Sequence, residues 1–145
     1  MKTTLELQTM QATYQEILEG KRPWTALGNF LNAWYAYHIG DRALLIQHPV
    51  QPPAEATPEQ QRWAAFCAAS VDYLCQIAGL SCPTWVHDPA YCLAEPWYYS
   101  LGAQKPDIRK RLEQETPEPF TKRNIFCGNR IFMNKYEEAP QRRSA

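Results

Sequence analysis

The 145-residue chain lacks any apolar run near the ~20 residues that a membrane-spanning helix requires. It also lacks an excess of charge: fifteen lysines and arginines face fifteen aspartates and glutamates. No whole-molecule field draws it to nucleic acid or to an anionic membrane, so any such attraction has to be local. Glycine is scarce, with six residues, which leaves little backbone for anion-cradling loops. The motifs G-x-S-x-G, H-E-x-x-H and H-x-E paired with P-C-x-x-C are absent as well. Among five cysteines, Cys67, Cys75, Cys82, Cys92 and Cys127, no C-x-x-C pair occurs, and no cleavable apolar leader follows Met1. Reduced, largely buried thiols in a cytoplasmic protein are therefore expected. His38, His48 and His87 have no ligand-like spacing to one another or to the thiols, so the sequence predicts no metal site and no cofactor.

What is present is a foldable composition. Apolar residues make up 45% of the chain, with five Trp, eight Tyr and five Phe, which argues against disorder over most of its length. A chain of this size buries ~68% of its unfolded surface, enough for a core without disulfide or metal staples. One helical domain over 1–138 and a disordered tail over 139–145 are expected.

The pattern predicts an all-α fold, a single-domain bundle of about five helices. Leu7, Met10, Tyr14, Ile17 and Leu18 recur at three- and four-residue steps within Leu5 to Glu19, with Gly20 as the stop. After Pro23, the positions Leu27, Phe30, Leu31, Trp34, Tyr35 and His38 make an aromatic stripe ending at Gly40. Asp41 to Gln47 reads as a short helix after a capping-type Asp, or else as a strand, and His48-Pro49 ends it. A stiff connector follows, and then the clearest signal: Thr57-Pro58-Glu59-Gln60 is a cap, a first-turn proline and a capping-box glutamine. Trp63, Phe66, Cys67, Ser70, Val71, Leu74 and Ala78 carry that helix to Gly79 and are expected to pack on the second helix through Trp34, Trp63, Phe66 and Leu74.

Beyond Gly79, Pro83, Pro89 and Pro96 alternate with Trp85, Tyr91, Trp97, Tyr98 and Tyr99, giving a long irregular aromatic arm over Leu80 to Gly102. Pro106 to Glu115 returns to helix with only Ile108 and Leu112 apolar, so it should touch the core along one edge. Pro117 and Pro119 then hold the chain extended, with Phe120 as a plug into the core. Gly128-Asn129 between apolar flanks is a hairpin signal. The alternative, which we favour, is an extended Asn124 to Cys127 followed by a helical turn in which Phe132 and Tyr136 stand four residues apart.

Thr116-Pro-Glu-Pro-Phe-Thr-Lys-Arg-Asn-Ile-Phe126, preceded by Cys82-Pro-Thr-Trp85 and Glu95-Pro-Trp97, resembles the C-terminal signature of small uncharacterised bacterial proteins similar to antitoxin-like partners of nucleotidyltransferase-type toxins. The resemblance covers about residues 80 to 130 and implies a partner protein, with no catalytic residues. It points to a non-catalytic module whose partner-binding set is Trp85, Trp97, Tyr98, Arg123, Asn124 and Arg130, since interfaces favour Trp, Tyr and Arg. Arg123 and Asn124 have two readings: an outward rim charge on that surface, or a structural pair in which Arg123 meets a carboxylate such as Glu118. The alternative function is nucleic-acid binding through 105–135, where eight basic side chains meet four acidic ones. Cys92 near His87 and Asp88 would be a nucleophile, base and orienting acid if they converged, but an Asp before proline starts a turn and a lone Cys packs.

Overall fold

A computed structural model describes residues 7–130 and residue 132. The expected tail over 139–145, the first residues of the predicted helix one and most of the predicted final turn lie outside the described residues. The chain is mostly helical, with six α-helices and a single two-stranded sheet among the described residues. No helix among them is long and apolar enough to cross a membrane.

Helix α1 (Met10–Leu18) starts later than the apolar spacing suggests because Thr9 caps it. The Thr9 hydroxyl accepts from the Ala12 N–H at 3.0 Å while the Thr9 backbone stays extended. Helix α2 (Pro23–Asn32) has proline in its first turn and gives way to a π turn, Ala33–Tyr37, closed by His38 N–H donating to the Ala33 carbonyl at 2.8 Å. The following segment is helical, resolving the helix-or-strand alternative: α3 (Arg42–Ile46) follows a 3-10 turn at Ile39–Asp41. Asp41 makes no side-chain capping bond; its carboxylate lies 3.8 Å from His38 instead.

Helix α4 (Pro58–Ala78) has the predicted ends. Thr57 and Gln60 exchange backbone and side-chain hydrogen bonds at 2.9 and 3.1 Å, and Gly79 takes the left-handed conformation, φ +71°, that closes the helix. Every residue from Trp63 to Asp72 is buried. A helix buried all round needs neighbours on every side, and Ala64, Ala65, Ala68, Ala69 and Ser70 let them approach closely.

The neighbours differ from expectation. α4 packs on α1 and on a helix near the C-terminal end, and α2 packs on α1. α2 reaches α4 through Trp24, whose ring lies edge-on to Trp63 and Phe66 at centroid separations of 6.3 and 5.6 Å. Trp34 stacks instead on Phe30 and under the Arg42 guanidinium, because the π turn carries the chain away. All four predicted packing residues are buried in one contiguous core, but Trp34 does not make the α2–α4 contact.

The arm is irregular, as predicted, with 3-10 turns at Thr84–His87 and Pro89–Tyr91 and a short strand β1 (Trp97–Tyr98). Helix α5 (Pro106–Glu115) buries Leu112 and half-buries Ile108, the thin edge expected of it. A sixth helix, α6 (Glu118–Thr121), corrects the extended path assigned to both prolines. Pro117 is extended, but Pro119 sits in the first turn, where its missing N–H costs nothing. Phe120 is fully buried against Phe66 and Tyr73. β2 (Ile125–Phe126) pairs in parallel with β1, Trp97 beside Ile125 and Tyr98 beside Phe126. The extended segment is therefore real, but it adds to the arm rather than forming a Gly128-Asn129 hairpin.

Candidate functional site

The residues expected to meet a partner are mostly turned to internal use. Trp85 is half-buried, and its indole N–H donates to the Ile46 carbonyl at 2.8 Å. Trp97 lies edge-on to Trp63 with ring centroids 5.3 Å apart. Tyr98 stacks on Phe126, lies under the Arg109 guanidinium at 4.5 Å, and donates its hydroxyl to Glu113. Asn124 takes a positive φ, +70°, which an Asn tolerates. Its amide donates to the Leu93 carbonyl at 3.0 Å, and its own carbonyl accepts the Trp97 N–H at 2.9 Å. Only Arg130 stands exposed, on a half-open cleft of about 410 Å³ that Arg111, Ser100 and Asn129 also line.

Arg123 corrects the outward placement outright. It is 2% exposed. Its guanidinium donates to the Pro119 carbonyl at 2.6 Å, to the Val86 carbonyl at 2.7 Å and to Asp72 Oδ2 at 3.1 Å. The structural alternative is the one the fold realises, with Asp72 from α4 in the place of Glu118. A buried cation is tolerable only with such partners, and here the two carbonyls belong to turns that have no ladder partner to offer.

Asp72 is the centre of a polar cluster. Lys122 Nζ approaches the same Oδ2 at 3.0 Å. Oδ1 is held more weakly, by Gln76 at 3.4 Å and by the Cys82 thiol at 3.9 Å. Burial alone would raise the Asp72 pKa, but hydrogen bonds from Lys122 and Arg123 and their charges outweigh it, and the carboxyl stays below its ordinary value. Donor atoms of Asp72, Cys82 and His87 all lie within 4.8 Å of one another. Cys75 is adjacent to Cys82; burial, then the neighbouring Cys82 thiol, push it up to about 12, and burial and Asp72 raise Cys82. Neither is a ready thiolate nucleophile.

The thiol constellation weighed in the sequence, Cys92 with His87 and Asp88, does not assemble. Asp88 accepts the Ala90 N–H at 2.9 Å as a turn cap, and Cys92 is exposed with its thiol against the Lys122 carbonyl. Cys67, Cys75 and Cys127 are buried, and burial raises all three.

Sequence spacing missed the Asp72 cluster because its members are spread over α4 and the arm in no motif, and Asp72 is fifty-one residues from Arg123. One signal was legible: Asp72 is the lone charge between Trp63 and Cys75 in an otherwise small and apolar run. Large apolar side chains instead stand exposed elsewhere, with Tyr37 72%, Ile39 56% and Leu44 44% accessible. Comparison with protein-family models, curated proteins and solved structures finds no match to this chain.

Proposed function

We propose that the chain is a non-catalytic cytoplasmic interaction module, an antitoxin-like partner of another bacterial protein, that meets its partner through Tyr37, Ile39 and Leu44. The observation that carries this reading is their exposure within eight consecutive residues, from the last residue of the π turn through the 3-10 turn into α3. A π turn widens the helix by one residue and is frequent at functional positions. Arg42 makes the corner rigid: its Nε donates to the Trp34 carbonyl at 2.8 Å and its guanidinium covers the Trp34 ring. Exposed apolar side chains gathered on a fixed backbone are what a partner surface requires. The aromatic arm, with its polar tips already bonded, contributes support rather than contact.

The test is co-expression with the product of the neighbouring reading frame. Wild type is expected to co-purify with it, and Tyr37→Ala combined with Ile39→Ala is expected to lose the complex while keeping the melting temperature, since exposed truncations shift stability by about 0.5 kcal/mol or less. No complex with wild type, or one that survives the double variant, refutes the reading.

A nucleic-acid surface over 105–135 has less behind it. Lys122 and Arg123 are paired with Asp72, and Arg109 lies on Tyr98. Retention on heparin that disappears at moderate salt would favour it.

A further inference from the structure

We propose that Asp72, Cys82 and His87 form a binding site for one zinc-class divalent cation. Three observations converge. Their carboxylate oxygen, thiol sulfur and ring nitrogen already lie within 4.8 Å of one another. A tetrahedral ion with bonds of roughly 2.0 to 2.3 Å sets its donors about 3.5 Å apart, and Cys82 Sγ is 3.9 Å from Asp72 Oδ1. The remaining closure falls to His87, which is exposed and free of the core's packing.

The carboxylate is also divided in the way a ligand carboxylate is. Lys122 and Arg123 both hold Oδ2, at 3.0 and 3.1 Å, while Oδ1 faces Cys82 with only weak contacts. Metal-bound carboxylates have their outer oxygen fixed by such donors, which set the orientation of the inner one. Asp72 is buried rather than one of a surface group of acids, so its aim is fixed by packing.

The third observation is the mixed donor set: one thiol, one imidazole and one carboxylate give the sulfur, nitrogen and oxygen ligands that suit zinc better than calcium or magnesium. Three protein donors leave the fourth tetrahedral position to water. Binding releases the Cys82 thiol proton to the buffer, which offsets one of the ion's two positive charges, and the exposed Lys122 and His87 place the other at the solvent edge, where it is screened. The bound ion would tie Cys82 and the Thr84–His87 turn onto α4, beside the segment that Arg123 anchors.

The experiment is a titration of the reduced, chelator-treated full chain with Co²⁺, followed by Zn²⁺. Expected are one equivalent of Co²⁺ with a thiolate-to-cobalt charge-transfer band, displacement by Zn²⁺, and a higher melting temperature with Zn²⁺. His87→Ala, at an exposed position, should melt like wild type without metal yet bind at least about tenfold more weakly, since even losing an outer partner costs that much. Cys82→Ser should abolish the charge-transfer band, and Cys92→Ser should leave the titration unchanged. Absence of a thiolate band in wild type, or equal affinity in wild type and His87→Ala, overturns the proposal.

Discussion

Helix α4 and the stretch from Leu80 to Phe126 share one core but are held to it by different forces. α4 satisfies its backbone internally and contributes apolar area: Trp63, Phe66, Val71 and Leu74 are buried with small residues between them. The arm has almost no backbone ladder of its own, only the two-residue pairing of β1 with β2. Its aromatic rings are buried or half-buried like those of α4, but its polar side-chain tips are bonded to backbone carbonyls, some of them outside the stretch and some within it. Trp85 serves Ile46, Tyr91 serves Val50, Asn124 serves Leu93, and Arg123 serves Val86 and Pro119. Apolar burial is non-directional and fixes which face of a helix points inward. Hydrogen bonds to unpaired loop carbonyls are directional and fix where an irregular segment lies. Proline supplies the rest, by limiting the conformations that the arm loses on docking.

If that contrast is right, the largest loss from a single polar residue belongs to Arg123. Arg123→Ala leaves Asp72 buried with one fewer partner and two turn carbonyls without donors, and should cost about 3 to 5 kcal/mol, the range for breaking a buried pair. Denaturant melts measure it. A loss under about 1 kcal/mol, typical of exposed pairs, would return Arg123 to the surface role. The apolar counterpart is Phe120→Ala, expected to cost about 3 to 5 kcal/mol through the cavity beside Phe66 and Tyr73. The two variants should thus be similarly damaging for unlike reasons, and Arg123→Met, which restores volume but no donors, should recover little of the loss.

A smaller effect separates conformation from bonding at Asn124. Asn124→Gly keeps the positive φ and loses the amide bond to Leu93, whereas Asn124→Ala loses both. Asn124→Ala should be the worse by about 1 kcal/mol, the cost of the left-handed region for a residue with a Cβ. Equal melting temperatures would mean that the hydrogen bond alone fixes this corner.

The same contrast explains what could be read from the sequence. α4 was legible to its last residue because Thr57, Pro58, Gln60 and Gly79 are local signals for local hydrogen bonds. Phe120 as a plug was legible because burial follows from apolar character alone. Arg123 stayed open in the sequence between an outward rim charge and a structural pair, because a charge ordinarily stays in water; what decides it is Asp72, distant in sequence and brought close only by the fold. α6 was missed for a related reason: proline excludes a helix interior but not a first turn, and Pro119 occupies the turn that the rule permits. The aromatic residues of the arm were legible as a group, but the internal bonds they make were not, because composition does not reveal whether an indole N–H finds a carbonyl. Asp72, Cys82 and His87 carried no motif, so their convergence was visible only in three dimensions.

The smallest expected effect is that of Tyr98→Phe, read against Tyr91→Phe as the most direct comparison of exposed with buried polar tips. Tyr91→Phe and Tyr98→Phe make the same chemical change at two points of the arm. Tyr91 is buried, and its hydroxyl donates to the carbonyl of the buried Val50. Removing it leaves a buried carbonyl without its donor, at a cost of about 1 to 3 kcal/mol. Tyr98 donates to Glu113, whose carboxylate is open to solvent, and its ring keeps Phe126 and Arg109 after the hydroxyl is gone. Water replaces the lost bond, so Tyr98→Phe should shift stability by about 0.5 kcal/mol or less. Paired thermal melts decide it: a Tyr98→Phe loss as large as that of Tyr91→Phe would mean that the Glu113 contact, not burial of polar tips, pins this part of the arm.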